Sequence, residues 1–313
     1  MCLRMMLQMY QAQRISHSEF VPIRNLQYHV QVWGEPRPGS TPWVMVHGWM
    51  DVAASYQFVV DALSHQHYVI APDWRGYGRT PGHAGAGPGV DNFWFPDYLA
   101  DLDFLLDHYA PETQVNLIGH SMGGNVAMLY AGVRPERIRR LVNLEGFGMP
   151  ASKPEQAPRR YASWMNELKQ LHRGELELKT YDSAAGVAQR LMKTNPRLGA
   201  DKANWLAQHW AQQDAQGRWR ILGEPAHKIS NAQLYRADEV LELYKRITMP
   251  VLCVEASENS LDLWWKGKFT LEQFHERLQA VPQVEIARIE NAGHMMHHDQ
   301  PEVLSALIER FLD

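Results

Sequence analysis

One serine of the 313-residue sequence has surroundings typical of a nucleophile. Ser121 stands in Gly119-His120-Ser121-Met122-Gly123, directly after the apolar run Val115 to Ile118 and directly before a helix-like segment. A strand that turns so abruptly into a helix strains its central residue and needs glycines where neighbouring backbone comes close. The hydroxyl then stands exposed at the carboxyl end of the strand, with a helix amino terminus behind it. Such a serine can attack a carbonyl carbon.

A serine hydroxyl is a weak nucleophile near neutral pH, so it needs a base, which in turn needs a carboxylate. His294 has the best context among fifteen histidines, because Asn291-Ala292-Gly293 precedes it after the last predicted strand and a predicted helix follows. We therefore predict His294 as the base. His297, His298 and Asp299 do not predict a metal site, because adjacent histidines after a loop converge poorly on one ion and no second ligand cluster is evident.

Four residues are candidates for the carboxylate that partners His294. Glu145 follows the predicted strand at 138–144, whose carboxyl end lies at the same sheet edge as the end of the serine strand. The chain order serine, acid, histidine is then kept. Glu258, Glu255 and Asp262, in that order, are the alternatives after the next strand. We favour Glu145.

The predicted elements explain how these residues meet. Apolar runs predict strands at 43–46, 68–71, 115–118, 138–144, 251–254 and 284–289, and helical spacing predicts helices at 56–63, 97–109, 238–247, 271–281 and 302–312. Residues 18–33 predict an opening antiparallel hairpin. This alternation predicts an α/β fold with a mostly parallel sheet covered on both faces. Residues 149–237 hold amphipathic stretches with hardly any strand-like run, which predicts an inserted helical cap between two core segments, 1–148 and 238–313.

With these motifs the chain resembles the α/β-hydrolase superfamily. The resemblance rests on the serine motif, on His47-Gly48-Trp49, on Asp73-Trp74-Arg75-Gly76-Tyr77-Gly78-Arg79 and on the segment 293–312, in which Asp299 replaces the more usual glutamate. It implies the α/β-hydrolase fold and a reaction without cofactor or metal. It also implies an oxyanion hole formed by the backbone N–H groups of Trp49 and Met122. Asp73 and Arg75 are expected to brace the site and to do no chemistry.

The acid departs from the usual family pattern. Most members take it from the loop in which this sequence has Asn259, and an amide cannot stabilise an imidazolium as a carboxylate does. The segment Asn143 to Pro150 instead resembles the acid segment of one haloalkane dehalogenase subfamily, which also uses a glutamate. Those enzymes have an aspartate nucleophile, whereas position 121 is serine. Serine implies an acyl-enzyme, and therefore cleavage of an ester, thioester, amide or activated C–C bond.

We predict a serine hydrolase that cleaves a small, largely apolar carboxylic ester. The apolar preference rests on Trp49, Trp164, Trp205, Trp210, Trp264 and Trp265. Among the predicted substrate-binding residues are Trp164, Trp205 and Trp210 of the cap, with His47 and His120. Three alternatives stay open: a C–C bond hydrolase of aromatic catabolism, a cofactor-free perhydrolase and a non-catalytic ligand receptor. For the first, the carboxylate-holding residue would be Arg159, Arg160 or Arg190.

The composition is that of an ordinary globular protein, with a formal net charge of −4, 45% hydrophobic and 21% charged residues. Lysine and arginine are not grouped into blocks, so neither nucleic acid nor an anionic membrane is a predicted partner. The expected partner is a small-molecule ester or related acyl substrate, and homodimerisation is left open. The start of the chain does not resemble a signal peptide, and a cytoplasmic location is expected. Cys2 and Cys253 do not suggest a disulfide, and residues 81–89 predict a surface loop.

Overall fold

The computed structural model of the protein describes residues 9–84 and 89–313. Its strands are β1 (His17–Ile23), β2 (Leu26–Trp33), β3 (Trp43–Val46), β4 (Val69–Pro72), β5 (Val115–His120), β6 (Ile138–Leu144), β7 (Thr180–Tyr181), β8 (Ala211–Gln213), β9 (Trp219–Ile221), β10 (Val251–Ala256) and β11 (Val284–Ile289). Eight of them form one sheet in the order β1-β2-β4-β3-β5-β6-β10-β11. The pairs β1–β2 and β2–β4 are antiparallel, and the other neighbours are parallel.

Helices cover both faces of this sheet. The described helices of the chain are α1 (Gln57–Ala62), α2 (Phe95–Tyr109), α3 (Met122–Val133), α4 (Ala157–His172), α5 (Ala184–Thr194), α6 (Ala200–Trp210), α7 (Ala237–Tyr244), α8 (Leu261–Trp265), α9 (Leu271–Leu278), α10 (Met296–Asp299) and α11 (Pro301–Leu312). Leu102 of α2, Val126 of α3 and Phe274 of α9 belong to one buried cluster. Val59 of α1 and Ile308 of α11 belong to a second. The fold class predicted from the sequence is confirmed.

The central strands are buried along their whole length. Every residue of β3, β4, β5 and β10 is buried. Strands with two covered faces lack a polar face, which is why they appear in the sequence as continuous apolar runs. Because β3, β5, β6, β10 and β11 run parallel, their carboxyl ends meet at one edge of the sheet.

Residues 149–237 connect β6 to α7 and contain α4, α5 and α6. They also contain a small antiparallel sheet in the order β7-β9-β8. These strands escaped the sequence analysis because two or three residues are too few to show alternation. Side chains of α5 and α6, such as Leu191 and Leu206, pack with Val52 and Phe58 of the core. The division into a core and a cap at 149–237 stays a prediction.

Some expectations fall on parts of the chain that the structure does not describe. Cys2 and the rest of residues 1–8 lie outside the described residues, as do residues 85–88 of the predicted surface loop. Cys253 is buried with a free thiol. Within residues 9–84 and 89–313, no helix has the length and apolar character needed to cross a membrane.

Two glycines allow the abrupt turn from β5 into α3. A Cβ on Gly119 would lie 2.4 Å from the carbonyl oxygen of Gly123, and a Cβ on Gly123 would lie 2.2 Å from that of Val46. Ser121, between them, has φ 53° and ψ −115°, a conformation that residues with a side chain rarely adopt. Its backbone is held by hydrogen bonds from its N–H to Leu144 O (2.8 Å) and from Asn125 N–H to its own carbonyl (2.9 Å). The strain at the serine is therefore maintained by its surroundings.

This packing predicts the effect of a methyl group at the turn. Gly123→Ala should lower the free energy of unfolding by about 1–3 kcal/mol, because the new Cβ meets backbone that cannot rotate away. Gly186→Ala in α5 is the matched control. Its Cβ would make an ordinary contact of 3.4 Å with Tyr181, so its stability should rise by up to about 1 kcal/mol. Urea unfolding measures both, and a Gly123→Ala protein as stable as wild type would contradict the close packing described here.

Candidate active site

Three side chains predicted from the sequence meet at the carboxyl edge of the sheet. The hydroxyl of Ser121 lies 3.0 Å from Nε2 of His294. Nδ1 of the same histidine lies 2.8 Å from Oε2 of Glu145. Ser121 follows β5, Glu145 follows β6, and His294 lies in the loop between β11 and α10. The parallel strands thus bring together residues that are up to 173 positions apart in the chain.

Glu145 is held on several sides. Its side chain has no exposed surface, and its backbone adopts φ 54°. Oε1 accepts a hydrogen bond from the backbone N–H of Ala256 (3.1 Å), and Oε2 accepts one from the hydroxyl of Ser260 (3.1 Å). A carboxylate is an acceptor only, so His294 presents a protonated Nδ1 to it. The Nε2 lone pair of neutral His294 then faces Ser121.

The other carboxylates considered from the sequence have different partners. The side chain of Glu258 is 71% exposed and forms an ion pair with Arg197. Glu255 contacts Nε2 of His275 at 2.5 Å, and Asp262 is exposed in α8. Asn259, at the position where the family usually has the acid, accepts a hydrogen bond from the N–H of Leu261 (3.1 Å). The structure therefore brings Glu145, and none of these residues, to His294.

Two hydrogen bonds and a left-handed residue shape the loop that carries His294. Asn291 adopts φ 55°, and the N–H of Gly293 donates to Oδ2 of Asp299 at 2.8 Å. Nε2 of His120 donates to the carbonyl oxygen of His294 at 2.7 Å. Asp299, which replaces the usual glutamate, thus ties the histidine loop to α10. The hydrogen bond from His120 thus fixes the backbone of His294, the predicted base.

The two residues predicted to form the oxyanion hole, Met122 and Trp49, lie beside the serine. Met122 is the first residue of α3, so its N–H has no acceptor within the helix. Gly48 packs directly against the serine, because a Cβ on it would lie 3.0 Å from the Cβ of Ser121. Trp49 follows Gly48, and Trp49 and Met122 both line the same cavity as Ser121. This arrangement suits an oxyanion hole, which stays a prediction.

Ser121, Glu145 and His294 are among the residues that line a cavity of about 420 Å³. Its walls are mostly apolar and aromatic, and they include Trp49, Phe95, Met122, Leu129, Phe147, Met149, Leu234, Tyr235, Val240, Leu243, Tyr244, Leu261, Trp264 and Trp265. Trp49 and Trp264 meet edge to face, with ring centroids 6.4 Å apart. The volume and the apolar walls suit a small organic acyl group.

The histidines predicted to bind substrate lie elsewhere. His47 is buried, and its Nε2 accepts a hydrogen bond from the N–H of Trp74 at 2.9 Å. Its protonated Nδ1 donates to the carbonyl oxygen of Gly48 at 2.8 Å, so this ring is neutral. His120 is buried behind His294. Neither side chain lines the cavity. Both instead form hydrogen bonds with backbone groups around the site.

The three tryptophans predicted to bind substrate from residues 149–237 also do not line the cavity. Trp164 donates to Oδ1 of Asn92 at 3.2 Å. Trp205 packs between Tyr10 and Phe58, and Trp210 is buried in the same cluster. Helical spacing identifies the apolar face of a helix but not which surface it covers, and here that surface is the core.

Asp73 and Arg75 support neighbouring elements. Oδ1 of Asp73 accepts from the N–H of Ala53 (2.8 Å), and its Oδ2 lies 2.7 Å from Nδ1 of His29. Arg75 forms a two-pronged ion pair with Asp101 of α2, with distances of 2.5 and 2.6 Å. These contacts link the loop after β4 to β2 and α2, as a bracing role requires.

Two residues of the site are not predicted from the sequence, Ser260 and Tyr235. Ser260 donates to Glu145 from the loop after β10, and a lone serine in a loop carries no sequence signal for this role. Tyr235 lines the cavity from the end of the segment 149–237. No local pattern distinguishes it from the other aromatic residues of that segment.

A second group of titratable side chains lies buried beside the site. Asp51, His120 and His297 bring possible metal-ligating atoms within 4.8 Å of one another. Burial raises the pKa of the Asp51 carboxyl, but the imidazole of His297, 3.5 Å away, outweighs it and holds this pKa below its usual range. Burial places the pKa values of His120 and His298 well below 6.5. The two rings are therefore neutral near neutral pH.

These neutral rings predict a loss of stability in mild acid. In the unfolded chain they bind protons near pH 6.5, whereas in the folded protein their pKa values are lower. The free energy of unfolding should therefore fall as pH decreases from 7.5 to 5.5, by up to about 1.4 kcal/mol per pH unit for each buried ring. Urea unfolding across this range measures the slope. His298→Gln should flatten it, exposed His108→Gln should not, and equal slopes in all three proteins would contradict the prediction.

Comparisons with known proteins agree with this architecture. A family model described as the alpha/beta hydrolase fold matches residues 41–301. The chain is 25% identical over 311 residues to a serine hydrolase-like protein of Danio rerio, covering 96% of this chain and 89% of that protein. A thioesterase domain from the curacin biosynthetic pathway has a TM-score of 0.78 at 22% identity, covering 94% of this chain and 99% of the other.

An esterase of Mycobacterium tuberculosis has a TM-score of 0.68 at 17% identity, covering 96% of this chain and 92% of the other. At such identities the two solved structures show a shared fold alone. The family model, in contrast, spans most of the sequence and includes Ser121, Glu145 and His294. This chain therefore belongs to the alpha/beta hydrolase fold family.

Proposed function

We propose that the protein is a serine hydrolase that cleaves small, largely apolar carboxylic esters through an acyl-enzyme. The observation that carries the proposal is the hydrogen-bonded series Ser121, His294, Glu145 at the wall of an apolar cavity. The esterase and thioesterase with the same fold, and the serine hydrolase-like relative, are consistent with it.

The order of the three side chains gives each one a role. Ser121 Oγ attacks the ester carbonyl carbon while His294 Nε2, 3.0 Å away, takes its proton. The positive charge that forms on His294 faces the carboxylate of Glu145, 2.8 Å from Nδ1. His294 then gives the proton to the leaving oxygen as the bond between carbon and that oxygen breaks. The acyl group stays bound to Ser121.

The second half of the reaction uses the same groups. His294 takes a proton from a water molecule, which attacks the acyl-enzyme and releases the carboxylic acid. In both halves negative charge develops on the former carbonyl oxygen. The N–H groups of Trp49 and Met122 are the donors we assign to it, because both residues line the cavity beside Ser121.

The walls of the cavity favour an apolar acyl group. Phe95, Leu129, Phe147 and Val240 offer no charge, and burial of apolar surface drives binding. A C–C bond hydrolase would need a cation beside the reacting atoms to hold a carboxylate. Arg159, Arg160 and Arg190 do not line this cavity, and the guanidinium of Arg236, which does line it, is paired with the carboxylate of Asp238 at 3.0 Å. The ester reaction is therefore the function that we propose.

The nucleophile is tested by substitution. Ser121→Ala should reduce hydrolysis of p-nitrophenyl butyrate by at least about 10³-fold, because the acyl-enzyme cannot form. Ser40→Ala, whose exposed hydroxyl donates to the carbonyl oxygen of Arg37, is the matched control and should keep full activity. Initial rates over a series of acyl lengths measure both the loss and the size of the cavity. Equal activity in the Ser121→Ala protein would contradict the proposal.

The acid is tested by a pair of glutamate substitutions. Glu145→Gln should lower kcat by about 10²–10⁴-fold with a small change in KM, because an amide cannot stabilise the charged form of His294. Glu258→Gln, which changes an exposed ion pair with Arg197, should stay within twofold of wild type. Steady-state kinetics on proteins with unchanged circular dichroism measure the difference. The reverse order of effects would move the acid to Glu258.

A further inference from the structure

A second depression, of about 720 Å³, opens beside the catalytic cavity. It lies between the loop at 149–152, the start of α4 and the turn that follows α8. Met149, Leu234, Tyr235, Trp264 and Trp265 line both spaces, so the two lie side by side. The second depression is therefore adjacent to the cavity that contains Ser121. We call this depression the cationic groove.

The charged side chains that line the cationic groove are all positive: Arg159, Arg160, Lys266 and Lys268. Among the described residues, none of these four forms an ion pair, and no carboxylate lines the groove. Arg160 donates to the carbonyl oxygen of Gln233 at 3.0 Å. Some other exposed cations do have a carboxylate partner, such as Lys245 with Glu242. The groove is thus a local positive surface on a protein of net charge −4.

A favourable interaction with the helix dipole does not explain why cations lie at the start of α4. Arg159 and Arg160 lie in the first turn of α4, which contains no acidic residue. The amino end of a helix carries partial positive charge, so cations there are unfavourable and an anion is favourable. On the other side, Lys266 ends α8 with φ 49° and Gly267 continues with φ 77°. This left-handed turn places Lys266 and Lys268 on the wall of the same groove.

The two adjacent spaces differ in the chemistry that they suit. The catalytic cavity has apolar walls, which suit an acyl chain. Four cations without a carboxylate match a group with several negative charges better than a single carboxylate. Arginine and lysine side chains together are common ligands of phosphate. A substrate that fills both spaces is apolar on its acyl side and phosphorylated on the side that leaves.

We propose that the cationic groove binds the phosphates of the leaving group, so that the substrate is an acyl thioester of a phosphorylated thiol, such as coenzyme A. This inference rests on the proposed function and names its substrate class. Ser121 Oγ forms a bond to the acyl carbon as the carbon–sulfur bond breaks, and His294 passes the serine proton to the leaving thiolate. Water then releases the carboxylic acid from Ser121, as for an ester.

Binding of free coenzyme A tests the groove without catalysis. Isothermal titration of the Ser121→Ala protein should show binding, and adding Arg159→Gln, Lys266→Gln and Lys268→Gln together should raise Kd by about tenfold. The matched control is Lys193→Gln, Lys245→Gln and Arg310→Gln, three exposed cations outside the groove, which should leave Kd unchanged. Equal Kd values in the groove variant and the control would overturn the inference.

Turnover tests the substrate class. Wild type should prefer hexanoyl-coenzyme A over hexanoyl-pantetheine, which has the same thioester without the phosphates. The ratio of the two kcat/KM values should fall by about tenfold in the groove variant, mainly through KM, and in wild type at high salt. A wild-type ratio near one would overturn the inference while p-nitrophenyl ester hydrolysis still supported the proposed function. Binding of coenzyme A without hydrolysis of any ester or thioester would overturn the proposed function and, with it, the substrate assignment.

Discussion

The site depends on one buried carboxylate. A charged side chain without exposed surface is unfavourable unless hydrogen bonds and an opposite charge replace water. Glu145 receives hydrogen bonds from Ala256, Ser260 and His294. These donors come from the ends of β10 and β11, so the charge ties three strand ends together. The same bonds leave His294 one orientation, in which Nε2 faces Ser121.

Much of this arrangement was predictable because its signals are local in sequence. Glycines at 119 and 123 identify the turn of the nucleophile, and both approach backbone too closely for any Cβ. Gly293 and the strand before it identify His294. Glu145 was favoured because parallel strand ends meet at one edge, a property of the fold rather than of one segment. The contact between Glu145 and His294 agrees with that expectation. The catalytic roles of Ser121, His294 and Glu145 remain proposals.

The substrate-binding residues predicted in the segment 149–237 depend on long-range packing. An apolar helix face in the segment 149–237 can cover the core or face a cavity, and the sequence carries no signal that separates the two. Trp205 and Trp210 cover Phe58 and Ser55 of the core, whereas Trp264 and Trp265 line the cavity. The cationic groove could not be predicted from the sequence for the same reason. Arg159 and Lys268 are far apart in the chain, so no block of basic residues marks the surface that they share.

The central claim is that Ser121 is a nucleophile activated by His294 within this hydrogen-bonded series. Treatment with a fluorophosphonate, followed by peptide mass spectrometry, tests it most directly, because the probe captures an activated serine without any knowledge of the substrate. The account predicts one adduct per chain, on Ser121, and its loss in a folded His294→Ala protein. No adduct, an adduct on another residue, or equal labelling in the His294→Ala protein would contradict the account.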